Sequence, residues 1–232
     1  VSALDVPATR AEARELVVLV RRRMLAEHLV AYTAGNISTR IAREPDLVAV
    51  TPGSTAYDTL CPEDIVIVAL DGTLVEGART PTAALPLHTL AYRDCPDVAG
   101  IVHMHSPAAM AMAALGMDLP PVLHCLVSAC GGGIVVAPYA RGATTEMATR
   151  RAEPLRHRSA CLLRNHGVLA IGPTLEHAYN AACVVEGVAD AYLRAFPFGP
   201  VPEVPADDVA RIRATQWAPA WFGRAGTPTH GG

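Results

Sequence analysis

Apolar residues recur at helical spacing along residues 10–31. Ala13, Leu16, Val17, Val20 and Met24 share one face, against Arg21, Arg22 and Glu27 on the other. This helix should stop at residues 32–38, where Gly35 and Asn36 are turn formers. Two β-branched runs follow, at 47–52 and 64–72. The second closes on Asp71-Gly72 before another short apolar run, which predicts an antiparallel meander. The pattern then predicts a helix over 84–94 and an apolar strand over 100–105. A short buried helix over 106–116 should run from Ser106 as N-cap to Gly116 as stop. A glycine turn and a strand are expected within 130–140, and a helix over 141–158. Residues 160–172 read as a hairpin turning at Asn165-His166-Gly167. A long helix from 174 to 195 opens at Pro173 and ends before Pro197. After a proline-rich connector, residues 206–216 read as a short helix, and the tail beyond should fray. No repeat and no change of composition divides the chain. It reads as a single domain over 1–232, with its core at about 10–195 and a C-terminal helix and tail at 206–232. The class is α/β, a mixed sheet covered by helices on both faces.

Composition narrows the function more than the fold. With 232 residues, 51% hydrophobic and 18% charged, the chain is globular and long enough for a sizeable core. A net charge of −3 gives no reason to expect a nucleic acid or an anionic membrane as partner. No apolar run reaches the roughly 20 residues of a membrane span, and the N-terminal stretch does not read as a secretory signal. Six scattered cysteines without a CxxC pair read as reduced thiols, mostly in the core, of a cytoplasmic protein. All 19 basic residues are arginine. Without lysine there is no Schiff base, no pyridoxal-phosphate anchor and no Walker A phosphate loop. Carbanion chemistry, if present, needs another stabiliser, and a metal ion is the leading one.

Candidate ligands for such an ion are histidines. His103 and His105 lie two apart on a predicted strand. They therefore share a face, with Cα atoms roughly 6–7 Å apart. That suits two imidazoles converging on one metal, and equally two polar residues on a half-exposed strand. His166 sits in the predicted hairpin turn, where functional groups are often displayed. Together the three would make a site with an open position, the pattern of catalytic zinc; spacing alone does not show that they meet. His28, His157 and His177 read as solvent-facing, His230 lies in the tail, and His88 and His124 read as hydrogen-bonded structural residues.

Five motifs in order carry a resemblance: TAGNIS (33–38), TPGS (51–54), PTAALPLH (81–88), HMHSP (103–107) and NHG (165–167). Through them the chain resembles the class II aldolase/adducin family, with the pattern of its fuculose-phosphate aldolases, over roughly residues 10–195. The resemblance implies a three-layer α/β/α fold with a central, largely antiparallel sheet. It implies Zn2+, or another divalent ion such as Mn2+ or Co2+, held by His103, His105 and His166. It also implies a homotetramer with active sites at subunit boundaries. A sugar or sugar phosphate would be bound through Gly35, Asn36, Thr51, Gly53, Ser54, Thr82 and Ala83, whose N–H groups and hydroxyls suit a phosphate. The implied activity is a metal-dependent lyase, a retro-aldol cleavage through an enediolate. The family also holds decarboxylases, dehydratases and 4-epimerases, and the non-catalytic adducin head, a binding module.

The chain departs from the family pattern at several points. The family's acid–base glutamate falls at Ala84, which can move no proton. Two origins are open for that residue: an engineered Glu→Ala exchange, which would leave an inactive variant, or natural divergence toward a reaction with no base there. Gly53 and Ser54 are exchanged relative to the commoner Thr-Pro-Ser-Gly, and Ala83 lacks a hydroxyl. A carboxylate or an uncharged group therefore stays open beside phosphate. Cys125 stands where fuculose-phosphate aldolase has a tyrosine. Trp217, Trp221 and Phe222 either pack the last helix or cover a site.

Overall fold

A computed structural model of the chain describes residues 5–30, 33–56, 58–139 and 153–216. Most of the predicted helix 141–158, the aromatic residues 217, 221 and 222, and His230 lie outside the described residues.

Helix α1 spans Arg10–Ala26 and opens with a capping box. Thr9 Oγ1 accepts from the N–H of Glu12, and the Glu12 carboxylate accepts from the N–H of Thr9. It ends five residues before the predicted stop, because His28 takes a left-handed φ of 56°. Arg21, assigned by pattern to the polar face, is only 2% exposed. It lies four residues after Val17 and three before Met24, on the buried stripe.

The described residues hold eight strands: β1 (Asn36–Ile41), β2 (Glu44–Val50), β3 (Val66–Ala69), β4 (Leu74–Glu76), β5 (Gly100–Met104), β6 (Val136–Ala137), β7 (Ala160–Leu163) and β8 (Gly167–Gly172). They form one sheet in the order β4-β3-β2-β1-β5-β8-β7-β6. Every pair is antiparallel except β6 with β7. β1, a central strand, begins inside the segment 32–38 that the pattern predicts to be a helix-ending turn. Its only large apolar residues are Ile37 and Ile41, and both point to one face, so no apolar run marks it.

Among the described residues there are five more helices: α2 (Leu85–Asp94), α3 (Pro107–Leu115), α4 (His124–Cys130), α5 (Leu175–Ala195) and α6 (Ala206–Gln216). The sequence pattern did not mark α4. Side chains alternate across the sheet. Ile37, Val102, Met104, Val168 and Ala170 pack with α1, α3, α4 and α5 in one core. Ile101, Leu169, Ile171, Val48 and Val66 pack with Leu87, Ala91 and Tyr92 of α2 in the other. These two cores are the two interfaces of a three-layer α/β/α arrangement, as expected. His103 belongs to the α2 face of β5. A one-residue slip of β5 would drive it into the first core, so burial of Val102 and Met104, worth about 1.5–3 kcal/mol each, fixes its direction.

Ser106 takes the N-cap position of α3, but its side chain makes no capping bond. Glu186, from α5, does the capping: its two oxygens accept from the N–H groups of Ala108 and Ala109 at 2.9 and 2.8 Å. Among the described residues, no helix is long and apolar enough to cross a membrane. All six cysteines are free thiols. Cys95, Cys130 and Cys161 are buried, whereas Cys125 is exposed and Cys61 and Cys183 are intermediate, so the core expectation holds for half of them.

Candidate metal centre and its cavity

His103 is the fourth residue of β5, His105 lies just past the strand end, and His166 sits on the turn between β7 and β8. Antiparallel pairing of β5 with β8, with Met104 opposite Val168, carries the turn alongside His105. Close approach needs glycine at position 167, where a Cβ would stand 2.3 Å from the carbonyl oxygen of Met104. Asn165, in the same turn, takes a left-handed φ of 56°, and its N–H bonds the carbonyl of Ala113 in α3.

The three rings meet edge to face, with centroids 4.7–4.8 Å apart. His103 Nε2 lies 3.0 Å from His105 Nε2 and 3.2 Å from His166 Nε2. His103 Nδ1 lies 2.8 Å from the carbonyl oxygen of Val168, which can only accept. The His103 proton is therefore on Nδ1, and Nε2 carries the lone pair that faces the other two rings. Tetrahedral zinc at about 2.05 Å from each nitrogen would set the nitrogens about 3.3 Å apart, close to the two distances found. His103 is 3% exposed. Burial, then the neighbouring His166 and His105, hold its protonation well below the ordinary histidine range, and burial lowers His105 too. Neutral imidazoles with a hydrogen-bonded back nitrogen are what a divalent ion requires of its ligands.

These histidines form one side of a cavity of about 290 Å³. The rest of the wall brings together Gly35, Asn36, Gly53, Ser54, Thr82, Ala83 and Ala84, with Thr33, Ala34, Leu87 and Leu163 completing it. Gly35 has a φ of 80°, and a Cβ there would lie 2.5 Å from the His103 carbonyl oxygen. Thr51 does not line the cavity. It is 1% exposed, and its hydroxyl accepts from the N–H of Ile37, tying the loop to β1. The two loops are laced together by Gly53 N–H to Thr80 O at 3.0 Å and Thr82 N–H to Thr51 O at 3.2 Å. Ala84 is the N-cap residue of α2. Among the described residues, no aspartate, glutamate or arginine lines the cavity.

His88 is fully buried and bonded through both ring nitrogens, so it is structural as expected. His28, His157 and His177 are exposed, and His124, expected as a hydrogen-bonded structural residue, is exposed as well. Sequence reasoning missed Leu87 and Leu163 as wall residues. Leu87 sits one helical turn beyond Ala84 and was legible in principle; nothing in the local sequence marks Leu163.

Two layers of helix over a largely antiparallel sheet, with three histidines at the ends of its central strands, define the class. The family model described as class II aldolase and adducin N-terminal domain matches residues 15–193, and the chain belongs to that family. It is 35% identical over 199 residues to a 5-deoxy-D-ribulose 1-phosphate aldolase of Bacillus thuringiensis, covering 86% of this chain and 92% of that one. It is 31% identical to the 5-methylthioribulose-1-phosphate/5-deoxyribulose-1-phosphate aldolase of Rhodospirillum rubrum, covering 89% and 91%. An L-fuculose phosphate aldolase of Escherichia coli is 33% identical, covering 78% and 82%. Among solved structures, an L-fuculose 1-phosphate aldolase superposes with a TM-score of 0.83 at 28% identity, over 88% of this chain and 95% of that one.

Proposed function

We propose that the chain catalyses a divalent-metal-dependent aldol cleavage of a ketose 1-phosphate. The observation that carries this reading is the convergence of three histidine ring nitrogens on a cavity whose remaining wall holds no charged side chain among the described residues. His103, His105 and His166 would hold the ion, with zinc the first choice and manganese or cobalt as alternatives. When bound, the ion supplies a Lewis acid for the carbonyl and hydroxyl oxygens of the ketose. Gly35, Asn36, Gly53, Ser54, Thr82 and Ala83 offer the phosphate end backbone N–H groups, one amide and two hydroxyls. With no arginine on that wall, dipoles rather than a guanidinium fork would hold the anion. Family resemblance extends the proposal to four subunits with sites at their boundaries.

Cleaving a ketose 1-phosphate between C3 and C4 gives dihydroxyacetone phosphate and an aldehyde. The C4 hydroxyl loses a proton, and C3 gains one. The Ala84 methyl stands where the family pattern has the carboxylate for this exchange, so water carries the proton and turnover is slow. That missing carboxylate favours one second reading. Loss of CO2 from a sugar acid also breaks a C–C bond, yet has no hydroxyl proton to remove.

The protein should be loaded with zinc, manganese or cobalt and offered 5-deoxyribulose 1-phosphate, 5-methylthioribulose 1-phosphate, fuculose 1-phosphate and a panel of sugar acids. Release of dihydroxyacetone phosphate is the expected result. Release of CO2 from sugar acids alone would move the assignment to the second reading. No metal in the purified protein and none gained on addition would sink both.

A further inference from the structure

Behind the cavity wall runs a chain of four buried polar groups. Tyr92 OH lies 2.8 Å from Ser38 Oγ, and Ser38 Oγ lies 2.7 Å from His88 Nδ1. His88 Nε2 lies 2.6 Å from Asn36 Oδ1. Tyr92, Ser38 and His88 are all 0% exposed, and Asn36 is 7% exposed where it meets the cavity.

Each distance alone is ambiguous, because hydroxyls and imidazole nitrogens both donate and accept. The dead end of the chain removes the ambiguity. Among the described residues, Ser38 Oγ is the one hydrogen-bond partner of the Tyr92 hydroxyl. A buried hydroxyl proton that pointed elsewhere would be unpaired, so Tyr92 donates to Ser38. The Ser38 proton is then free to go to His88 Nδ1, which must be bare to accept it. Burial keeps the ring neutral, with its pKa pulled down to about 3. The single ring proton therefore sits on Nε2 and donates to Asn36 Oδ1. With its oxygen committed to His88, Asn36 has its amide N–H groups left for the cavity.

We infer that His88 is a positioning residue. Through a proton order set by Tyr92, it fixes Asn36 as a hydrogen-bond donor toward the substrate, so that this wall selects an oxygen acceptor such as a phosphate. The reverse order would flip the amide and present an acceptor, which would repel an anion. The inference rests on the proposed reading of the cavity only for the identity of the acceptor. The direction of the chain rests on the four groups alone. Asn36 pairs with His103 across β1 and β5, so the donor stands beside the proposed metal centre.

Two measurements test it, both on the full chain without metal. Long-range 1H–15N spectra of the unaltered protein report the tautomer of each histidine. His88 should be the neutral Nε2–H form; an Nδ1–H form overturns the inference. Calorimetric titration with inorganic phosphate then compares the unaltered protein with His88→Leu, His88→Gln and Asn36→Asp. Leucine removes the donor to Asn36, and phosphate should bind about 10- to 150-fold more weakly, the cost of roughly one hydrogen bond to a charged group. Glutamine keeps an N–H for Asn36 and should restore binding to within about threefold. Asn36→Asp places an acceptor on the wall and should weaken binding at least as much as leucine. Equal binding in the leucine and glutamine variants overturns the positioning role. If the unaltered protein does not bind phosphate, the anion assignment falls, while the tautomer spectrum still decides the proton order. The spectrum needs no variant, so a substitution that fails to fold leaves the test in place.

Discussion

The two sides of the cavity are built with unequal completeness. On the β5–β8 side, three histidines present ring nitrogens to one point, and the Nδ1–H of His103 is taken by a carbonyl. On the α2–β1 side, Asn36 is held by His88 with equal care, yet position 84 offers only a methyl group. Each side contains a fully buried, neutral histidine, and the two differ in what is left over. His88 has both nitrogens engaged by neighbouring side chains. His103 has one nitrogen satisfied and one turned toward two more imidazoles. Burial and a lowered pKa therefore do not distinguish a ligand from a structural residue. An accounting of both ring nitrogens does.

The largest expected effect comes from removing the difference between the sides. Ala84→Glu supplies the missing proton carrier and should raise metal-dependent cleavage by about 10²–10⁴-fold, the usual range for general acid–base catalysis. Steady-state release of dihydroxyacetone phosphate measures it. Unchanged turnover would show that this site runs a reaction with no use for a base at that position.

A smaller effect sharpens the contrast between the two buried histidines and the unfolded chain. An unfolded histidine takes up a proton as pH falls below about 6.5, whereas folded His88 stays neutral down to about 3. The unfolded state then binds more protons, so stability is full above pH 6.5 and is lost as pH falls. The loss from His88 alone is about 2 kcal/mol between pH 6.5 and 5. Urea unfolding of the metal-free protein should show this slope, and His88→Gln should reduce it by about that amount. A slope unaltered by the substitution would mean that His88 is not buried neutral.

The smallest effect tests the support beneath the histidine side. Glu186→Ala uncaps α3, which begins two residues after His105, and should lower stability by about 1 kcal/mol. Thermal unfolding reads this directly, while the tautomer spectrum of His88, on the other side, should not move.

Much of the framework could be read from residue order. The helices at 85–94, 107–115, 175–195 and 206–216 follow from apolar spacing, glycine and proline stops, and N-cap residues, all short-range signals. The hairpin at 160–172 and its turn at Asn165-His166-Gly167 follow in the same way. β1 did not, because a strand whose polar face is stabilised by His88 and Tyr92 looks hydrophilic in isolation. Nor did the burial of Arg21 or the capping of α3 by Glu186, since the partners come from distant segments. The set of small residues around position 84 was legible from motif order, but Thr51 was assigned to the cavity on that basis, and its hydroxyl turns instead to β1.

The sequence by itself determined that no lysine chemistry operates here, that His103 and His105 share a face, and that position 84 carries no ionisable group. Those are facts of composition and of the two-residue period of a strand. Only the tertiary structure decided that His166 meets the other two, because β5 and β8 must pair in one register to do it. Only the tertiary structure decided which way Asn36 presents its amide, because that direction is set by a tyrosine 56 positions away, buried with one place to send its proton.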